Sequence, residues 1–304
     1  MTWTPLVALA TLLLVAPLLP GVAAKTKALL TGRRGTPVLQ LYWDLYKLLG
    51  KGAVYSATTT WLFRLAPVVV VTTALLAACV MPLDGHHALV SFTGDLVAFA
   101  SLLGLGRFML VLAGLDTGSS FEGLGASREV TFSSFAEPAL FLCFAGLALA
   151  TRDLSLTGML GSPLAAAWPS AAPSLVMIGV SLFLVLLAET SRVPVDDPAT
   201  HLELTMIHEV IVLDHSGPDF ALILYGSALK LALFGALLIG VLVPRAMLPG
   251  PAAIGLLVLG LVVVALLVGV VESVMARLRL SRVPQFLIAG SVLASLGVIL
   301  LLMA

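Results

Sequence analysis

Eight apolar stretches divide this sequence, and each is long enough to cross a membrane as a helix. A spanning helix needs about 20 apolar residues, because the hydrocarbon core of a bilayer is about 30 Å thick. The stretches cover residues 3–24, 61–82, 89–113, 131–150, 172–190, 219–243, 252–272 and 285–303. Within lipid, the backbone polar groups of such stretches must bond internally, which favours helices. The sequence therefore predicts an all-α integral membrane protein, with eight transmembrane helices forming a single domain over residues 1–304.

The composition supports this class. Hydrophobic residues make up 60% of the chain and charged residues 11%, and the mean hydropathy is +1.12. The 16 basic and 16 acidic residues cancel, which argues against a nucleic-acid partner. Cys79 and Cys143 lie in apolar stretches and lack a metal-ligand spacing. The first stretch follows no positive segment and exceeds the apolar core of a signal peptide, so we expect it to be a membrane span.

Lysine and arginine residues indicate the orientation. Thirteen of the 16 lie in or next to four polar connections, namely 25–60, 114–130, 189–219 and 273–284. Arg152 and Arg245 lie on the opposite side, and Lys230 lies within the sixth stretch. The positive-inside rule predicts that the four connections are cytoplasmic and that both termini are outside.

The first connection contains an amphipathic segment. Leucines and Tyr42 recur at helical spacing after Gln40, whereas Asp44 and Lys47 lie on the other side. This pattern predicts a helix that lies at the membrane surface or packs against a partner.

The densest polar segment, 189–219, holds seven of the 16 acidic residues. Asp197 followed by Pro198 predicts the start of a helix, with an N-cap acceptor before a proline at the first helical position. A helical projection from Pro198 places Glu203 in the middle of the apolar face. A carboxylate there must find a partner, take up a proton or line a polar cavity, unless the helix tilts and exposes it.

Three neighbouring side chains of this segment invite a metal-site interpretation, but their spacing argues against it. His201 and His208 are two helical turns apart, too far to share one small ion with Glu209 without a third element. We predict no metal site in this chain.

Ionisable residues also occur within the apolar stretches. Glu137 lies in the fourth stretch and is followed by Pro138, which weakens the backbone hydrogen-bond ladder there and could admit water. Lys230 lies well inside the sixth stretch, while Glu189 and Glu272 end the fifth and seventh. Charges at membrane depth are candidates for function, although Glu137 and Lys230 could neutralise each other and the two terminal glutamates could simply reach the headgroups.

Three motifs resemble one family. RRGTPVLQLYWDLYKLL at 33–49, GASREVTFSSFAE at 125–137 and ETSRVPVDDPATHLEL at 189–204 resemble segments of the complex I membrane subunit that meets the peripheral arm. LFRLAP at 62–67 resembles the start of that family's second helix. Together with the eight-helix layout, the resemblance covers essentially the whole chain.

Departures from the complex I pattern favour one branch of this family. Ala199 and His201 stand where complex I has acidic residues, the segment after Glu203 is longer, and the third connection reads GLDTGSSFEGLGASRE. These features resemble the membrane subunit of hydrogenase-4 and formate hydrogenlyase-type group 4 [NiFe] hydrogenase complexes.

The resemblance implies a non-catalytic anchor and coupling subunit. It would dock a [NiFe]-hydrogenase-like peripheral arm and link redox chemistry to proton translocation, in a bacterial or archaeal cytoplasmic membrane. The implied partners are hydrogenase-like large and small subunits, an iron–sulfur subunit and antiporter-like membrane subunits. The nickel–iron and iron–sulfur centres would lie in those partners, and this chain would hold no cofactor.

Two sets of candidate residues follow from the motifs and the polar segment. The expected docking residues are Arg33, Arg34, Gln40, Asp44, Lys47 and Arg128. The expected proton-pathway residues are Glu137, Glu189, Arg192, Asp196, Glu203, Glu209, Asp214 and Lys230.

Three alternative functions remain open at this point. The chain could be a quinone-binding subunit of a complex I-type NADH-quinone oxidoreductase, with a quinone head beneath the polar connections. It could be a stand-alone ion transporter, although we find no inverted repeat in the sequence. It could also be a structural anchor in which every buried charge is neutralised by a neighbour.

The predicted orientation is tested by labelling single cysteines from outside. A cysteine at Gly85, in the second connection, should react with an impermeant maleimide, whereas one at Gly50 should not. The reverse pattern would show that the basic connections face outward.

Overall fold

The structure, a computed structural model, describes residues 3–197 and 206–303, and its regular elements are helices. They are α1 (Thr4–Val15), α2 (Leu18–Leu30), α3 (Gln40–Leu49), α4 (Trp61–Val80), α5 (Asp95–Asp116), α6 (Ser120–Thr151), α7 (Leu156–Met159), α8 (Ser162–Glu189), α9 (His208–Ile211), α10 (Gly217–Leu242), α11 (Gly250–Val274) and α12 (Val283–Met303). Seven described helices are long and apolar enough to span a membrane, and the count is eight if α1 and α2 form one span. The all-helical class is confirmed.

The first span is bent. Helices α1 and α2 meet at 44°, and Pro17 lies at the break. Proline removes a backbone donor and clashes with the preceding turn, which accounts for the bend. Helix α2 continues to Leu30, so the start of the first predicted connection is helical.

Helix α10 forms the centre of the bundle. It packs against α3, α4, α8 and α11, and 72% of its apolar segment is buried. Each residue from 231 to 241 is buried. Phe99 contacts Phe144 and Phe234 edge-to-face, with ring centroids 6.4 and 6.3 Å apart. Beyond Lys230, α10 therefore runs through a packed apolar core.

Two glycines allow close contacts that position the first connection. A Cβ at Gly269 would lie 2.6 Å from the carbonyl oxygen of Ala23, so α11 can approach α2 closely only without a side chain there. A Cβ at Gly21 would lie 2.0 Å from the carbonyl oxygen of Val38. The segment leading into α3 is thus held directly against α2.

Helix α3 confirms the helix predicted in the first connection. The Tyr42 hydroxyl donates a hydrogen bond to the Leu14 carbonyl, while Trp43 and Tyr46 are exposed. One face packs on the bundle and the other is free to meet a lipid headgroup region or another protein.

Two connections differ from the sequence-based expectation. Helix α6 begins at Ser120, so most of the segment 114–130 predicted as a loop is helical. Arg107, one of the basic residues counted next to that connection, lies inside α5.

The prediction of a continuous helix from Pro198 is wrong at its described end, because Met206 and Ile207 are not helical and α9 has 4 residues. Residues 198–205, including His201 and Glu203, lie outside the described ranges.

The structure also changes the best site for outside labelling. Gly85 is buried, with φ +81°, and a Cβ there would lie 3.1 Å from that of Arg245. A cysteine would be strained and poorly accessible at this position. His87 in the same connection is exposed and is the better position.

Candidate functional site

A buried chain of ion pairs crosses the bundle. Glu189, the last residue of α8, accepts from Arg107 of α5 (Nη1 to Oε1, 2.6 Å) and pairs with Lys230 of α10 (Nζ to Oε2, 2.7 Å). The other guanidinium nitrogen of Arg107, Nη2, donates to the Glu137 carboxylate of α6. These four residues form what we call the ion-pair chain, and their formal charges cancel.

Pairing is what makes these charges tolerable at this depth. An unpaired ion inside a bundle costs several kcal/mol, whereas close opposite charges with hydrogen bonds offset most of that cost. The side chains of Glu189 and Arg107 are 4% and 10% exposed, so neither can rely on solvent. The ion-pair chain therefore links α5, α6, α8 and α10.

Glu137 differs from the other three because its side chain is 48% exposed. Along α6, Ser127, Thr131 and Ser134 are exposed on a stripe that leads to it at helical spacing. The ion-pair chain thus begins inside the bundle at Lys230 and ends with the Glu137 carboxylate on the outer surface.

A second set of ion pairs holds the segment that follows α8. Arg192 pairs with Glu272 of α11 at 3.3 Å. Lys27 of α2 lies 3.8 Å from Glu272 and 3.4 Å from Asp197. Helices α2 and α11 therefore fix this segment from one side.

Asp196 organises the other end of the same segment. One carboxylate oxygen pairs with Arg277 at 3.0 Å, and the other accepts from the backbone N–H groups of Ile207 and His208 at 3.0 and 3.1 Å. Arg128 of α6 donates to the Met206 carbonyl at 2.8 Å. The entrance to α9 is thus tied both to Asp196 and to α6.

Among the cavities near this segment, we consider the pair that border His208, each of which is large enough for water. The larger, which we call the loop cavity, has a volume of about 150 Å³, and its polar lining includes Arg192, Asp196 and Glu209. The smaller, which we call the ion-pair cavity, has a volume of about 40 Å³, and its charged lining comprises Arg107, Glu129 and Lys230.

His208 and Ser227 line both cavities. The ring nitrogen Nε2 of His208 lies 3.2 Å from the Ser227 hydroxyl oxygen. Burial lowers the pKa of His208, and Lys230 acts in the same direction, while the carboxylates of Glu129 and Asp196 oppose them. The imidazole is therefore favoured in its neutral form at pH 7.

The structure brings together most of the described residues expected in the proton pathway. Glu137, Glu189 and Lys230 belong to the ion-pair chain, and Arg192, Asp196 and Glu209 line the loop cavity. Asp214 lies apart from them, exposed, with its backbone N–H on the Glu122 carboxylate at 3.0 Å. Glu203 lies outside the described residues.

The expected proton-pathway set omitted several members of the site, although from the sequence we considered Glu272 as a charge at a helix end and His208 as a candidate metal ligand. The omitted residues are Lys27, Arg107, Glu129, His208, Ser227, Glu272 and Arg277. A signal for Arg107 was present, because it lies nine residues before the end of α5, at Asp116, within apolar sequence. At about 1.5 Å per residue, that position is well below the helix end, where a charge needs a partner.

The expected docking residues lie on or near the first connection. Arg33, Arg34 and Lys47 are exposed, and Gln40 donates to Asp44 along α3 at 2.9 Å. Arg128, by contrast, is partly buried and holds the Met206 carbonyl. The described contact of Arg128 is thus made within this chain, to the residue that precedes Ile207.

The part of the chain that the structure describes contains no group of three or more His, Cys, Asp or Glu side chains placed to hold a metal ion.

The NADH dehydrogenase family model matches residues 3–303, almost the whole chain. The chain belongs to the NADH dehydrogenase family of membrane subunits. Within this family, the chain is 34% identical to formate hydrogenlyase subunit 4 of Escherichia coli over 308 residues, covering 99% of this chain and 98% of that protein. It is 32% identical to hydrogenase-4 component C of Escherichia coli over 233 residues, covering 77% of this chain and 72% of that protein.

A solved structure shows the same fold. A chain of the membrane-bound sulfane sulfur reductase, an archaeal respiratory membrane complex, matches with a TM-score of 0.83 and 18% identity, over 98% of both chains. This member of the NADH dehydrogenase family is therefore a multi-pass membrane protein, homologous to formate hydrogenlyase subunit 4 and hydrogenase-4 component C.

Removing the central carboxylate should destabilise the bundle. Glu189→Gln leaves Lys230 and part of Arg107 without their counter-charge, and breaking a buried pair typically costs about 3–5 kcal/mol. Thermal unfolding in detergent should therefore occur at a clearly lower temperature. The double variant Glu189→Gln/Lys230→Met removes the stranded cation as well and should recover part of the loss. Equal melting temperatures for wild type and Glu189→Gln would show that the pair contributes little.

Proposed function

We propose that this chain is the membrane anchor and coupling subunit of a hydrogenase-4/formate hydrogenlyase-like complex. It docks a [NiFe]-hydrogenase-like peripheral arm and links the redox chemistry of that arm to proton translocation. The observation that carries the proposal is the series of polar groups from the loop cavity, through the ion-pair chain, to the exposed carboxylate of Glu137. The homology to formate hydrogenlyase subunit 4 supports the choice of complex.

The first connection is the proposed docking surface. Arg33 and Arg34 are exposed beside α3, and Trp43 and Tyr46 of α3 are exposed as well. Arginine and aromatic side chains are enriched where protein surfaces bind each other. The proposed partners here are the hydrogenase-like large and small subunits and an iron–sulfur subunit, which would hold the nickel–iron and iron–sulfur centres. The chain itself would lie in a bacterial or archaeal cytoplasmic membrane.

The direction of proton movement follows from what surrounds the ion-pair chain. On α10 each residue from 231 to 241 is buried, and the core there contains Phe99, Phe144 and Phe234. A proton would cross this packed apolar region only at high cost. Glu137, in contrast, opens to the side of the bundle with its side chain 48% exposed. Protons therefore leave laterally, toward antiporter-like membrane subunits.

The segment after α8 connects the docking side to the ion-pair chain. It begins directly after Glu189 and is held by Arg192, Asp196 and Asp197 through ion pairs with α2, α11 and Arg277. A shift of this segment would change the distances between carboxylates and cations. Such changes alter proton affinity, because a nearby cation favours the ionised carboxylate and burial favours the protonated one. Redox-driven movement at the arm can thereby change protonation in the membrane.

A second candidate function is supported by the loop cavity. Its lining combines apolar side chains such as Phe220, Leu224 and Leu231 with His208 and Arg192, a mixture typical of small-molecule pockets. A quinone-binding subunit of a complex I-type oxidoreductase would use such a pocket. Solvent extraction of quinone from the purified complex distinguishes the two candidates, because recovery of a stoichiometric amount of quinone would favour the second.

Docking depends on the charge of the first connection. Arg33→Glu/Arg34→Glu should release the hydrogenase-like arm from the membrane, since like charges at an interface repel. The matched control Arg33→Gln/Arg34→Gln removes charge without reversing it and should retain more of the arm. The measurement is the fraction of hydrogenase-like subunits that co-sediment with membranes at low salt. Wild-type co-sedimentation of the Glu variant would place docking elsewhere.

Proton movement depends on the lateral carboxylate. Glu137→Gln keeps the shape of the side chain but cannot ionise. The number of protons that the assembled complex moves per electron should therefore fall about tenfold or more. Glu137→Asp keeps a carboxylate and should retain part of the activity. The measurement is proton uptake by vesicles together with electron transfer, after subunit content has been checked. A wild-type ratio for Glu137→Gln would contradict the lateral exit.

A further inference from the structure

His208 lies where the two cavities meet. The ion-pair cavity and the loop cavity share His208, Ser227 and Ile223 in their linings. Of these three side chains, His208 is the one that can bind and release a proton near neutral pH. Its backbone N–H donates to Asp196 at 3.1 Å, and its ring nitrogen Nε2 contacts the Ser227 hydroxyl at 3.2 Å.

The second ring nitrogen of His208 is free to react. Nδ1 is buried and has no hydrogen-bond partner within residues 3–197 and 206–303. A buried polar atom without a protein partner is costly unless a water or a transferred proton reaches it. Since the ring borders two cavities large enough for water, water can reach this nitrogen.

We propose that His208 relays protons between the loop cavity and the ion-pair cavity. This proposal rests on the proposed function, because it assigns the step that carries a proton from the segment after α8 into the ion-pair chain. The titratable and charged groups that line the two cavities or act on the ring come from each neighbouring element. They are Arg107 of α5, Glu129 of α6, Lys230 of α10, Arg192 and Asp196 of the segment after α8, and Glu209 of α9 itself.

The transfer needs no group beyond the ring, Ser227 and water. The relay starts from the neutral tautomer in which Nε2–H donates to the Ser227 oxygen and Nδ1 holds a lone pair. Nδ1 accepts a proton from protonated water in one cavity, and the imidazolium then gives its Nε2 proton toward Ser227 and water in the other. One proton enters and one leaves, and the ring is then the Nδ1–H tautomer. A rotation about the Cβ–Cγ bond turns this N–H toward the exit cavity, so that the next proton enters at Nε2 and leaves from Nδ1. Burial and Lys230 disfavour the imidazolium and lower the pKa of His208, while Glu129 and Asp196 favour the charged form.

His215 provides a matched control. It lies in the same connection, is 5% exposed and stacks on Phe63 with ring centroids 3.9 Å apart. Burial lowers its pKa, as it does for His208. It packs against Phe63 of α4 rather than at the boundary of the two cavities, so replacing it removes a buried imidazole of similar character without removing the proposed relay.

The test uses the purified complex with its native partners in proteoliposomes, and measures protons moved per electron transferred. His208→Gln, which can bond Ser227 but cannot relay a proton, should lower this ratio about tenfold or more. His215→Gln should keep the wild-type ratio. In His208→Ala, added imidazole should restore part of the ratio, which a purely structural role would not predict.

Each contrary result has a definite meaning. A wild-type ratio in assembled His208→Gln would overturn the relay and leave the proposed function standing, whereas a wild-type complex that moves no protons would overturn both. An equal loss in His215→Gln would also overturn the relay, because any buried histidine would then have the same effect. If His208→Gln does not assemble, Ser227→Ala decides: a lowered ratio supports the relay and an unchanged ratio overturns it.

Discussion

The pairing of Glu189 with Arg107 and Lys230 is the interaction on which the rest of the structure depends. Each of these charges would be costly alone inside the bundle, so the three must meet, and their helices α5, α8 and α10 must align at one depth. Arg107 has a second donor, which reaches Glu137 on α6. The requirement to neutralise buried charge therefore also places a carboxylate on the outer surface, where a neighbouring subunit can meet it.

The same requirement shapes the segment after α8. Asp196 holds Arg277 and two backbone N–H groups at once, which leaves His208 at the boundary between the loop cavity and the ion-pair cavity. The segment is held by apolar contacts as well as by ion pairs, because Val193 and Val195 are buried and Val195 packs with Ile207, Val283 and Leu287.

Helix α6 shows why composition misled us about one boundary. The segment 114–130 is rich in glycine and serine, a composition typical of a loop. In the structure Gly114 lies in α5 and Gly125 in α6, and both permit close packing against α9. A Cβ at Gly125 would lie 2.3 Å from Val210, and one at Gly114 would lie 2.9 Å from Ile211. Tertiary packing against α9 thus outweighs the low helix propensity of glycine.

The sequence by itself determined the class, the approximate spans, the amphipathic α3 and the presence of charges at membrane depth, because each is a local property of hydrophobic length or periodicity. Only the tertiary structure decided which charges pair. Glu137 meets Arg107, 30 positions away, Glu189 meets Arg107, 82 positions away, and Arg192 meets Glu272, 80 positions away. A buried charge demands a partner, but which partner it finds depends on which helix faces meet, and periodicity along one helix carries no information about its neighbours.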